Sequence, residues 1–249
     1  MAFNLPSPGA YLLLCSFPLL VVSESKSRSH AGTCVFKMLS STAFLSGPVF
    51  LTSADWTPYR ILITTGLLFS LAGDFFLLPA RPDFYNPAPR KPAISLSFHL
   101  GIVAFALAHV AYIAALLHDS PQTSWPAFGA TFLATMLLAK SLGVLYPPPR
   151  FSAMRNALDL DIPADLKPLV SAYAVIISSM FAAAVSTMTA ASSYQRLLGP
   201  AMFVVSDLFV AKDAFGRSSV PRARGSLRIA AGYGLYFWGQ MLIAGTVGG

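Results

Sequence analysis

Residues 59–78 read YRILITTGLLFSLAGDFFLL, a run whose single acid, Asp74, stands among apolar side chains. A bilayer core of about 30 Å asks for about twenty mostly apolar residues from a helix that crosses it. Similar runs recur along the chain, and we read eight transmembrane spans at 10–22, 34–51, 59–78, 98–117, 124–146, 166–188, 197–216 and 226–247. The expected fold class is all-α: a polytopic membrane protein, a single domain over residues 1–249, built as a bundle of eight transmembrane helices.

Composition points the same way. Of 249 residues, 55% are hydrophobic and 11% charged, against about a quarter charged in an average soluble domain. A formal charge of +7 on a soluble chain would suggest nucleic acid. Here the basic residues sit between the apolar runs, where they mark topology and contact lipid headgroups, so membrane lipids and no nucleic acid are the expected partners. If all eight segments span, one side carries Lys26, Arg28, Arg81, Arg90, Lys91, Arg150, Arg155, Lys167, Arg217, Arg222, Arg224 and Arg228, and the other only Arg60 and Arg196. The positive-inside rule places the first set in the cytosol and both termini on the non-cytosolic side. Removing the first segment as a signal peptide would break that alternation, so it is read as a retained span.

The connections 79–97 and 147–163 are rich in proline, which removes backbone donors and opposes long helices. Residues 151–160 are compatible with a short interfacial helix or a plain loop. Cys15 and Cys34 lie in or beside apolar segments, which supports neither a disulfide framework nor a cysteine-rich zinc site.

A charge at bilayer depth costs at least about 2.5–3.5 kcal/mol, so an intramembrane acid or base is a site by default. Asp74 and Asp207 lie in spans that run in the same direction, at depths roughly 8 Å apart, and are read as facing one cavity. The competing reading is a hydrogen-bonded clamp between helices. Gly66, Ser70 and Gly73 form a small-residue stripe that admits a neighbouring helix. Lys37 either snorkels to headgroups or turns inward to neutralise an aspartate or hold a phosphate; Lys140 is read as snorkelling. Lys212 and Asp213 are read as a solvated surface pair. His109 and Tyr112 share one face of the fourth span and Tyr236 and Gln240 one face of the eighth. With Tyr173 they form a candidate polar pocket. Of four histidines only His109 is deep, and no His-x-x-x-His pair occurs, so no metal is expected.

Five motifs occur in order over residues 37–243: Gly73-Asp74 preceded by Ser70, Ala108-His109 with Tyr112, Tyr173 with Met180, residues 203–211 around Ser206-Asp207, and Gln240-Met241-Leu242-Ile243. In this set the chain resembles the lysoplasmalogenase (YhhN-like) family, with one departure: Lys37-Met38-Leu39 stands where that family usually has Lys-Pro-Leu. The resemblance implies a cofactor-free membrane hydrolase. Its substrate would be a lysophospholipid of the lysoplasmalogen type, whose vinyl ether is cleaved to a fatty aldehyde and a glycerophospho-alcohol. Such cleavage needs one carboxyl that arrives protonated and one that is anionic, the division of labour of paired carboxylates on glycosides. Asp74 and Asp207 are the expected catalytic pair, and Lys37, His109, Tyr112, Tyr173, Tyr236 and Gln240 the expected substrate-binding set. The lipid would enter from the cytosolic leaflet, and its chemistry points to the endoplasmic reticulum. The alternatives are a transporter or lipid-binding protein using the same buried charges, and a hydrolase of another ether or ester lysolipid.

Overall fold

A computed structural model describes residues 3–51, 56–85, 95–120, 122–145, 156–189, 194–217 and 225–248. Their helices are α1 (Ser7–Ser25), α2 (His30–Phe44), α3 (Ser46–Phe50), α4 (Pro58–Phe76), α5 (Arg81–Tyr85), α6 (Leu96–Asp119), α7 (Trp125–Ser141), α8 (Lys167–Ser186), α9 (Gln195–Phe215) and α10 (Ser226–Gly245). Among the described residues the only extended pairing is an isolated bridge between Leu160 and Gly216. Among the described residues four helices, α1, α4, α6 and α8, are long and apolar enough to cross a membrane. The chain is an all-helical integral membrane protein.

Local chemistry sets the helix ends. Ser29, Thr57 and Ser95 each cap a helix with a side-chain oxygen that accepts from the backbone N–H three residues on, at Gly32, Arg60 and Phe98. α1, α4, α7 and α8 each begin with a proline in the first or second position, where its missing N–H removes no intrahelical bond. Pro18 and Pro200 lie inside α1 and α9 without ending them, as membrane helices tolerate.

Two expected spans differ in the structure. The second, read as continuous over 34–51, breaks at Leu45 into α2 and α3. Pro48 explains the break, since a proline crowds the carbonyl four residues back, here that of Phe44. The fifth, read to residue 146, stops at Ser141. The chain turns at Gly143, whose φ of +87° is a left-handed conformation that glycine adopts without strain. Of the stretch read as a possible interfacial helix, residues 151–155 lie outside the described residues, and 156–160 form turns leading to the bridge at Leu160.

Packing follows chain order. Sequential neighbours form close pairs, α1 with α2, α4 with α6, α7 with α8 and α9 with α10. Further contacts of α2 with α4, α6 with α8, α8 with α9 and α10 with α1 close the helices into a ring. α7 stands outside it against α8 and has no buried residue. The core inside the ring takes Leu13 and Leu20 from α1, Phe44 from α2, Leu67 from α4, Tyr112 from α6, Met180 from α8, Phe203 from α9 and Phe237 and Met241 from α10.

Each end of the ring is fastened by polar contacts. At one end Gln195 accepts from Asn4 N at 2.8 Å and donates to Leu242 O at 3.3 Å. Arg196 pairs with Asp119 at 2.9 Å and lies over the Tyr59 ring, and Arg60 donates to Val247 O at 2.9 Å. At the other end His30 Nε2 lies 2.8 Å from Pro79 O, and Arg28 reaches Phe84 O. A second apolar cluster there, Leu160, Ile162, Leu166, Val170 and Phe215, seats the segment before α8 against the end of α9. Lys212 and Asp213, read as a solvated pair, have separate partners instead: Lys212 donates to Leu158 O and Asp213 receives Arg228. Successive residues on a helix point about 100° apart, so two neighbours in sequence are badly placed to face each other.

Candidate functional site

Asp74 sits near the end of α4, on the face turned to the centre of the ring, and is 2% exposed. Its Oδ2 accepts from the Ser41 hydroxyl at 2.7 Å and from the Tyr236 phenol at 2.6 Å. Its Oδ1 lies 3.6 Å from the Lys37 ammonium, which also donates to Leu77 O at 3.3 Å. Lys37 is itself 5% exposed, so of the alternatives open for it the structure takes the inward one. Two helices, α2 and α10, thus supply a cation and two hydroxyls to one carboxylate on a third, α4. The reason lies in helical spacing: Lys37 and Ser41 are four residues apart on α2 and present both groups on one face.

One turn deeper on α4, Ser70 belongs to a closed triangle. Tyr112 donates to Gln240 Oε1 at 2.8 Å, Gln240 Nε2 donates to Ser70 Oγ at 2.8 Å, and the two hydroxyls are 3.3 Å apart. The small-residue stripe makes this possible. A Cβ on Gly66 would overlap the Tyr112 ring, and one on Gly73 would come within 2.7 Å of Phe105. Both rings belong to α6, which is the helix the stripe admits.

Asp207 belongs to a different group. The Tyr173 phenol donates to its Oδ2 at 2.7 Å, and the same phenol oxygen lies 3.1 Å from His109 Nε2. His109 is fully buried, and its Nδ1 has no hydrogen-bond partner among the described residues. Asp207 and Tyr173 are half-buried.

The candidate residues therefore gather into two neighbouring groups, Asp74 with Lys37, Tyr236, Tyr112 and Gln240, and Asp207 with Tyr173 and His109. Among the described residues the two carboxyls share no hydrogen-bond partner. Phe203 stands between the groups, its ring 4.5 Å from the His109 ring and 5.3 Å from that of Tyr236, edge-on to both. Phe105 packs edge-on against Phe203 and Tyr236 as well. An apolar cleft of about 350 Å³ lined by Leu45, Pro48, Val49, Trp56, Thr64 and Leu68 lies beside the break in the second span and touches neither aspartate.

Sequence reading missed Ser41 and Phe203. The signal for each was its spacing, Ser41 four residues after Lys37 and Phe203 four before Asp207. The profile of the YhhN family matches residues 32–247. No curated protein and no solved structure matches the chain.

Proposed function

The chain belongs to the YhhN family, which includes lysoplasmalogenases, and from that premise we propose that it hydrolyses the vinyl ether bond of lysoplasmalogens within the membrane. The observation that carries this reading is the unequal equipment of a buried carboxyl, Asp74, and a half-buried one, Asp207, on either side of Phe203. Asp74 has an ammonium and two hydroxyl donors, which complement a negative charge. Asp207 has a phenol and, behind it, an imidazole edge, and among the described residues no lysine or arginine pairs with it.

Vinyl ether hydrolysis needs those two properties. A proton adds to the outer alkene carbon, whose π pair forms the new C–H bond, and positive charge develops at the ether-bearing carbon. The Asp74 carboxylate stabilises that oxocarbenium ion, and Asp207 is the source of the proton. Water then attacks the cationic carbon and loses a proton. The resulting hemiacetal breaks its bond to the glycerol oxygen, which takes up a proton and leaves as the alcohol, while the tail departs as an aldehyde. The alkenyl bond lies beside Phe203, which swings aside to admit it, with the head group toward Lys37 and the cytosolic leaflet. Tyr112 and Gln240 hold the α4–α6–α10 side of the site in shape.

Purified protein incubated with alkenyl, alkyl and acyl lysophospholipids, with products read by mass spectrometry, tests the reading. Aldehyde and glycerophospho-alcohol are expected from the alkenyl lipid alone. Fatty acid from the acyl lipid, or no product from any, would overturn it.

A further inference from the structure

Asp207 is joined to His109 through the Tyr173 phenol, and the buried Nδ1 edge of His109 is left without a hydrogen-bond partner among the described residues. We propose that Asp207, Tyr173 and His109 form a proton wire, and that Nδ1 of His109 is the atom that gives the proton to the alkene carbon and takes one back from water. This rests on the hydrolytic reading above and assigns the route of the proton within it.

Tyr173 has a single hydroxyl hydrogen and sits 2.7 Å from Asp207 Oδ2 and 3.1 Å from His109 Nε2. When Asp207 is ionised, the phenol donates to it, the imidazole donates to the phenol through Nε2, and Nδ1 is a bare acceptor. When Asp207 is protonated, every donor reverses: Asp207 donates to the phenol oxygen, the phenol donates to Nε2, and Nδ1 carries the hydrogen. The two arrangements use the same heavy-atom positions and differ by one proton. Nδ1 is the far terminus in both. It is fully buried and has no partner, a condition that costs stability in a finished core and is met here by a ligand.

Catalysis alternates the two arrangements. As the Nδ1 hydrogen moves to the alkene carbon, the N–H electron pair stays on Nδ1, the phenol hydrogen passes to Nε2, and the Asp207 hydrogen passes to the phenol. When water attacks, its proton goes to Nδ1 and the sequence runs backward, restoring protonated Asp207. No oxidant or other reactant is consumed beyond the water. His109 is then a catalytic residue, and Tyr173 and Asp207 act through it as positioning residues.

Two measurements test this. In kinetics on the full-length protein, Tyr173→Phe and Asp207→Asn are each expected to lower kcat by about 100-fold or more with little change in KM. The double variant is expected to match either single one within about threefold, because a wire cut once loses nothing by a second cut. His109→Gln, which has no Nδ1, is expected to fall as far. Multiplicative losses, or near-normal kcat for Tyr173→Phe, would overturn the wire.

The second readout needs no turnover. Nitrogen-15 NMR of the imidazole is expected to show His109 changing tautomer across the titration of Asp207, with the hydrogen on Nδ1 at low pH and on Nε2 at high pH. Among the described residues the ionisable groups in contact with His109 or linked to it are Tyr112 on α6, Tyr173 on α8 and, through Tyr173, Asp207 on α9. The change is expected to vanish in Tyr173→Phe. One tautomer throughout, or a change that survives Tyr173→Phe, removes the wire even if the protein hydrolyses vinyl ethers. Conversely, a tautomer change in a protein that releases no aldehyde sustains the wire and removes only the substrate assignment.

Discussion

Replacing Asp74 by asparagine is expected to abolish aldehyde release and to destabilise the bundle by about 3–5 kcal/mol, because it leaves a buried ammonium without its counter-charge. The Lys37 side chain is 6% exposed and that of Asp74 4%, so water offers neither group much relief. Asparagine still accepts from Ser41 and Tyr236 and fills the same volume, which isolates charge as the lost property. Adding Lys37→Met to Asp74→Asn removes the stranded cation, and the pair is expected to recover most of the lost stability with none of the activity. Thermal unfolding in detergent together with an aldehyde assay separates the two effects. Activity in the double variant would show that Asp74 serves only as a partner for Lys37.

The second large effect is steric. Gly66→Val is expected to cost about 1–3 kcal/mol through overpacking, and more if Tyr112 is driven from its hydrogen bonds. Tyr112 is 1% exposed and held by Gln240 and Ser70, so its ring has nowhere to retreat. A displaced phenol leaves the Gln240 carbonyl buried without its donor, a further penalty of about 1–3 kcal/mol. The control is Gly129→Val in α7, where a Cβ would meet nothing within 4 Å. That substitution is expected to leave unfolding unchanged. Equal losses at the two glycines would mean that the close approach of α4 and α6 is not what Gly66 provides.

Much of this was legible from residue order. Long apolar runs located the helices, and the spacing of Gly66, Ser70 and Gly73 marked the face on which α6 packs. Intramembrane charge singled out Asp74, Asp207 and Lys37 because each is expensive there. Other features had no such mark. α7 is as apolar as its neighbours, so hydropathy gives no hint that it stands outside the ring, packed against α8 with none of its residues buried. Phe203 is one of 19 phenylalanines; its spacing puts it on the Asp207 face, but its contacts with His109 and Tyr236 are what give it a place in the site. The division of the two aspartates between different hydrogen-bonded groups was equally hidden, since depth along a helix is readable from spacing and azimuth across a bundle is not. The sequence reading therefore put both carboxyls in one hollow, whereas the structure puts an aromatic ring between their groups.

Hydrolysis in deuterium oxide tests the chemistry most directly. The alkenyl lysolipid is turned over by the purified protein, the aldehyde is trapped at once by reduction, and both products are weighed by mass spectrometry. Protonation at carbon followed by attack of water at the ether-bearing carbon leaves a single deuterium on the carbon next to the former aldehyde, and labelled water leaves no heavy oxygen in the glycerophospho-alcohol. An aldehyde free of deuterium at that carbon, heavy oxygen in the glycerol fragment, or no aldehyde at all would contradict it.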